Sequence, residues 1–265
     1  MKISSKPDSV IRICVVGNQA FSLLNFRGAL IAEMAEKGLI VFALAPNFDD
    51  EKRFEARVIG AEPVEFSLSR TGMNPMRDAA DMLRLALLFR RLKPNIILGY
   101  AAKPVIYGTL AACIAQVPRK YAMIEGLGYV FTPSECTEPL KRRAIRGTVR
   151  MLYAAALRHA NLVFFLNRDD INEFLKNKIV APEKAFLLGG IGVNLDEWRP
   201  KPPAIKPVTF LLVARLLREK GIVEYCRAAR IVKQKHTQTR FMRLRLRPQS
   251  FPKPFPIGMR VKCLT

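Results

Sequence analysis

The sequence predicts an α/β protein: a Rossmann-like, doubly wound parallel sheet, followed by the first β-loop-α of a second, truncated domain of the same kind. Three observations lead there. Short runs apolar at every position recur through roughly the first 190 residues, as in strands covered on both faces. Helical stretches separate them, which a parallel sheet requires of its crossovers. Several of the runs also end on Gly, Pro or Asn, which punctuate regular structure.

The elements follow in order. Arg12–Val16 is a β-branched run ending at Gly17-Asn18. Helical spacing runs from Ser22 to Lys37, with Leu23, Phe26, Leu30 and Met34 near one face and Gly38 as the stop. Leu39–Ala45 is a buried-strand pattern stopped by Pro46, and Glu62–Leu68 is a third strand. Asp78–Leu92 reads as an amphipathic helix closed by Lys93-Pro94. Asn95–Leu98 is a strand ending at Gly99-Tyr100; Pro104–Gln116 is an apolar helix and Tyr121–Ile124 the next strand. Glu138–His159 is a long basic helix, with His159 as a C-terminal cap. Leu162–Leu166 is a strand, Arg168–Lys178 a helix, and Ala185–Leu188 a short strand before a Gly-rich loop.

Residues 1–197 thus form one domain and 198–206, which begins Trp198-Arg199-Pro200, a stiff Pro-rich linker. Residues 207–235 open a second domain, with strand Val208–Ala214, loop Arg215–Gly221 and helix Ile222–Lys235. Residues 236–265 are expected to be an irregular basic tail, since Pro248, Pro252, Pro254 and Pro256 oppose both central strand and helix. Two readings of that tail stand: a nucleic-acid- or membrane-binding arm, or the arbitrary composition of a truncated or frame-shifted end.

Charge supports the division. The chain has 265 residues and a net charge of +22, and 11 of its Lys and Arg lie after Glu224, where no acid remains. A chain that is 50% hydrophobic and 25% charged is neither disordered nor collagenous. Its 5 cysteines show no CxxC spacing, so a disulfide or zinc framework is excluded; Cys14 and Cys113 read as small core residues. No apolar run reaches spanning length, and no leader pattern is seen. No helix-turn-helix, RRM or zinc pattern supports nucleic acid as a partner.

In open parallel sheets, ligands sit outside the C-terminal strand ends. That rule selects Gly17-Asn18, Pro46-Asn47, Tyr100–Lys103, Glu125–Gly128 and Asn167. Gly17 permits close backbone approach, although a turn glycine explains it as well; the segment is not GxGxxG. Arg142, Arg146 and Arg150 repeat every four residues, giving either a membrane-facing basic stripe or an ordinary surface helix.

Several segments carry a resemblance: VVGNQAFSLLNFRGALIAEMAEKG, KPVIYGTLAACIAQVP followed by IEGLGYVFT, LNRDDINEF, GGIGVNLDEWRP and FLLVARLLREKGIVEY. In this order and spacing the chain resembles the retaining GT-B glycosyltransferases of family 4, the group 1 transferases. It is most similar to the branch that builds capsule, O-antigen and other glycans on polyprenyl diphosphate, and the likeness runs from about Ile11 to Lys235. The resemblance implies a GT-B N-terminal domain, a nucleotide-diphosphate sugar as donor, a lipid-linked saccharide as acceptor, no metal or other cofactor, and a cytoplasmic place at the inner leaflet. It makes Arg215 and Lys220 the donor diphosphate clamp and sets Gly17, Asn18, Lys103, Glu125, Gly126 and Gly128 along the cleft. Lys103 could meet a phosphate or be an exposed lysine at a helix start. The family's Glu-x7-Glu pair is absent, since no Glu follows Glu224. A transferase inactive alone, or a non-catalytic acceptor and membrane-docking module, is therefore expected.

Overall fold

The computed structural model describes residues 10–69, 74–127, 140–196, 198–202, 205–214, 220–244 and 261–263. The chain divides into two compact units, Met1–Gly192 and Val193–Thr265. That division lies a few residues ahead of the Trp198 linker start expected from sequence.

Unit 1 holds seven strands, β1 Arg12–Val16, β2 Ile40–Ala45, β3 Ala61–Glu65, β4 Ile96–Tyr100, β5 Arg119–Ile124, β6 Leu162–Phe165 and β7 Ala185–Leu187. Their order is β3-β2-β1-β4-β5-β6-β7, and every pairing is parallel. The helices are α1 Ala20–Glu36, α2 Asp50–Val58, α3 Pro75–Leu92, α4 Thr109–Ile114, α5 Leu140–Leu157 and α6 Arg168–Lys176. A π-type turn, Pro104–Gly108, leads into α4.

Strand alternation shows why the runs are apolar throughout. Ile13 and Val15 enter one core cluster, with Val41 and Ala43; Cys14 and Val16 enter another, with Leu85 and Phe89 of α3. Both faces of β1 are covered, so neither parity of side chain can be polar. Burial pushes the Cys14 thiol well above its ordinary range. A third cluster joins β5 and β6 to α5 and α6. There Phe174 meets the rings of Phe165 and Tyr153 edge-on at 5.3 and 5.4 Å. Pro63 is tolerated in β3 because β3 is an edge strand.

Two helices differ from expectation. The sequence reading contained no helix between the second and third strands, yet α2 lies there, with the Asp49 carboxylate accepting from the Lys52 amide at 2.8 Å. Its signal is local: a capping Asp followed by Asp50 and Glu51 in the first turn. The buried stripe of α1 is Ala20, Leu23, Arg27 and Ile31, while Phe26 is 53% exposed. The expected stripe through Phe26 and Leu30 was out of phase because it avoided a charged residue that the fold in fact buries.

Unit 2 contains β8 Thr209–Val213, helix α7 Ile222–Lys235, β9 Arg240–Leu244 and β10 Val261–Cys263. β9 lies between the other two strands, parallel to β8 and antiparallel to β10. The expectation of an irregular tail after Lys235 is thus corrected at these two strands. The reason is packing. Phe241 is buried, stacks on Phe210 at 4.9 Å and meets the edge of Tyr225 at 5.8 Å. The Tyr225 hydroxyl lies 2.9 Å from the carbonyls of both Phe210 and Met242, joining α7 to the two strands. The prolines that weighed against a strand begin only at Pro248, beyond β9.

Candidate functional site

The strand order reverses beside β1: the chain leaves the β3 edge and re-enters at β4, on the other side of β1. A crevice forms at such a switch point, at the C-terminal ends of β1 and β4. The residues that follow β1, β4 and β5 are Gly17-Asn18, Ala101 and Glu125-Gly126. The segments are tightly held. The Gly17 amide donates to the Leu44 carbonyl at 2.8 Å. A Cβ on Gly17 would lie 2.5 Å from the Tyr100 hydroxyl, so this rim loop requires glycine for close approach. Ala101 sits at φ 65°, a costly region for a residue with a Cβ, and Gly126 sits at φ 154°.

Beneath this rim lies a polar cluster that sequence reasoning did not assemble. Arg27 of α1 is buried and forms an ion pair with Glu125. Its Nη1 donates to the Phe26 carbonyl at 2.8 Å, and its guanidinium lies 4.9 Å from the centre of the Tyr100 ring. Burial pushes the Tyr100 phenol well above its ordinary range, with the Arg27 charge opposing the rise. The sequence signal was present: Arg27 stands four residues from both Leu23 and Ile31.

Lys103 is not an exposed lysine: its side chain is mostly buried and paired. Its Nζ donates to Asp78 Oδ1 at 2.7 Å, and the Tyr107 hydroxyl donates to Asp78 Oδ2 at 3.2 Å. Asp78 is buried in the first turn of α3, whose N-cap is Asn74. Desolvation first, then the Asp78 charge and the hydrogen bond to it, push the Tyr107 phenol up to about 12.

The remaining expected residues are dispersed. Asn18 is half-buried on the rim. Asn167 caps α6, its Oδ1 accepting from the Asp170 amide at 2.8 Å. Arg150 donates to Glu173 of α6 at 3.1 Å and, like Arg146, is half-buried; the exposed positions of α5 include Arg143, Gly147 and Met151. The stripe through Arg146 and Arg150 is therefore turned partly inward. Lys220 is exposed in unit 2, one residue before Gly221, the N-cap of α7. Gly128, Arg215 and the side chain of Arg142 lie outside the described residues. Among the described residues no helix is long and apolar enough to cross a membrane, and no group of three or more His, Cys, Asp or Glu could hold a metal.

A seven-stranded parallel sheet with a polar rim at its switch point is the architecture of a doubly wound, ligand-binding α/β domain, and comparison with known proteins narrows the family. Residues 12–167 match the glycosyl transferase 4-like family, and the chain belongs to that family. It is 26% identical over 239 residues to the N,N'-diacetylbacillosaminyl-diphospho-undecaprenol alpha-1,3-N-acetylgalactosaminyltransferase of Campylobacter jejuni. That alignment covers 85% of this chain and 61% of the relative, so the chain spans about three fifths of its length. Among solved structures, a glycosyltransferase from Rickettsia africae matches with a TM-score of 0.56 and 15% identity, over 85% of this chain and 58% of that one. The UDP-N-acetylglucosamine 2-epimerase of Rickettsia bellii matches with a TM-score of 0.52 and 11% identity, over 91% and 63%. At these identities the two structures establish a shared fold, the GT-B α/β fold expected from sequence.

Proposed function

We propose that this protein serves the transfer of a sugar, with retention, from a nucleotide-diphosphate sugar to a polyprenyl-diphosphate-linked saccharide at the inner face of the cytoplasmic membrane. The observation that carries this reading is the alignment to a transferase whose acceptor is a diphospho-undecaprenol-linked sugar. Unit 1 supplies the acceptor side, with Gly17, Asn18, Glu125 and Gly126 along its rim. Arg215 and Lys220 bind the donor diphosphate. Fixed cations at the departing diphosphate offset the charge that develops there, and no metal is needed for that role.

The net charge of +22 suits an anionic lipid surface and two diphosphate-bearing substrates. Arg146 of α5 contributes to that surface; Arg150 is engaged by Glu173. These 265 residues span about three fifths of the length of that relative, so the activity of the whole transferase is part of the proposal. A second reading is a module that docks acceptor and membrane, since unit 1 by itself carries the rim of the switch point.

One experiment tests both. The chain is mixed with vesicles bearing the undecaprenyl-diphosphate-linked sugar and with UDP-N-acetylgalactosamine, and both sedimentation and product are measured. Glycolipid-dependent binding is expected. Sugar transfer would overturn the second reading, and failure to bind the glycolipid would overturn both.

A further inference from the structure

The two members of the Arg27–Glu125 ion pair differ sharply in surroundings. The Arg27 side chain is 2% exposed and the Glu125 side chain 33%. Arg27 donates through Nη2 to Glu125 Oε1 and through Nη1 to the Phe26 carbonyl, lies over Tyr100, and keeps a buried Nε without a partner. Glu125 offers Arg27 one oxygen; among the described residues no donor bonds to Oε2. The cation is therefore held by the Phe26 carbonyl of α1 and the Tyr100 ring of β4 as well as by Glu125, while the carboxylate after β5 has a second oxygen with no donor among the described residues.

A carboxylate held in this way is an oriented acceptor. It does not suit a diphosphate, whose charge would repel it. It does suit a hydroxyl or acetamido N–H of a sugar, since hydrogen bonds to an ionised acceptor are among the stronger neutral-ligand contacts. The fixed Arg27 removes most of the side-chain freedom that Glu125 would otherwise lose on binding.

We infer that Glu125 is a saccharide-binding residue: its Oε2 accepts a hydrogen bond from the sugar of the lipid-linked acceptor, and Arg27 is the positioning residue that holds it. This rests on the proposed function and sharpens it, because it separates recognition of the sugar from recognition of the diphosphate. The cationic groups of the protein take the diphosphate, and Glu125 reads the sugar beyond it.

The test compares affinity for two vesicle preparations, one bearing undecaprenyl-diphosphate-linked N,N'-diacetylbacillosamine and one bearing undecaprenyl diphosphate alone. The wild-type chain is expected to prefer the glycosylated carrier by about tenfold or more, the range of one charge-assisted hydrogen bond. Glu125→Ala is expected to lose that preference. Glu125→Gln keeps a hydrogen bond to Arg27, so it preserves the fold, and it is expected to weaken the preference. Arg27→Lys, which retains a cation for Glu125, should recover more of the preference than Arg27→Met. A mere loss of packing would shift binding of both carriers together and would not track the sugar. Unchanged preference in both Glu125 variants overturns the inference and leaves the proposed function standing. Equal wild-type affinity for the two carriers also overturns it. A wild-type chain that binds neither carrier overturns the proposed function along with it.

Discussion

β1 and β8 are strands of five residues, RICVV and TFLLV, with almost the same apolar content. After Arg12, every residue of β1 is buried; in β8 only Leu212 is even half-buried. The difference lies in neighbours. β1 pairs with β2 on one side and β4 on the other, with core clusters on both faces. Among the described residues β8 is an edge strand paired with β9 alone. An apolar run specifies a strand, but a strand becomes core only where other elements cover it.

The largest expected effect separates the two units. Phe165→Ala in unit 1 removes a fully buried ring from the β5–β6 core and should cost about 3–5 kcal/mol. Leu211→Ala, at a position 56% exposed, should change stability by less than about 1 kcal/mol. Denaturant unfolding measures both, with circular dichroism for the chain and Trp198, the single tryptophan, as a fluorescence probe in unit 2. A comparable loss from Leu211→Ala would show that β8 is covered in solution.

The next effect probes how closely the rim of unit 1 is packed. Gly17→Ala forces a Cβ against the Tyr100 hydroxyl and should cost about 1–3 kcal/mol. Adding Tyr100→Phe should recover part of that loss, since the nearest clashing atom is removed; a double-mutant cycle reads the coupling. Strict additivity would refute the contact. Smaller again, Asp49→Ala should cost about 1 kcal/mol through the lost α2 cap and should raise amide exchange in the first turn of that helix.

The smallest effect is a pH dependence. Unfolded tyrosines release their protons near pH 10, as expected for a free phenol. Tyr107 in the folded chain holds its proton to about 12. The folded state therefore binds more protons between those values, and the stability this contributes is complete below pH 10 and lost as pH rises toward 12. Tyr100 and Tyr153, both buried, act in the same direction. Tyr107→Phe should make the fall in thermal midpoint across this window shallower. An unchanged slope would show that Tyr107 titrates as an exposed phenol.

Much of unit 1 was legible because its signals are local. Runs such as Arg12–Val16 and Leu162–Leu166 carry their own strand pattern, and Gly38 and Pro46 mark where elements stop. The rim followed from one topological rule, which brought Gly17, Tyr100 and Glu125 into view together. The partners of those residues were not legible. Arg27 lies 98 positions from Glu125, and Lys103 lies 25 from Asp78; no periodicity links such pairs. The phase of α1 was misjudged for the same reason, because the carboxylate that permits an arginine in its buried stripe arrives only with β5. In unit 2, β9 was missed because composition dominated the reading, whereas one inward aromatic, Phe241, suffices to seat the strand on Phe210 and Tyr225.

The sequence by itself determined the parallel α/β class, the positions of most strands and helices, the resemblance to family 4 transferases and the Arg-x4-Lys spacing of Arg215 and Lys220. These are properties of short segments, set by side-chain period, turn residues and motif spacing. Only the tertiary structure decided that Lys103 is bound to Asp78, that Arg27 is buried against Tyr100 and that Glu125 pairs with Arg27 through one oxygen. Those are properties of groups from different elements that meet at the sheet's switch point. Charge burial there is tolerable only because each partner is delivered by a separate strand or helix.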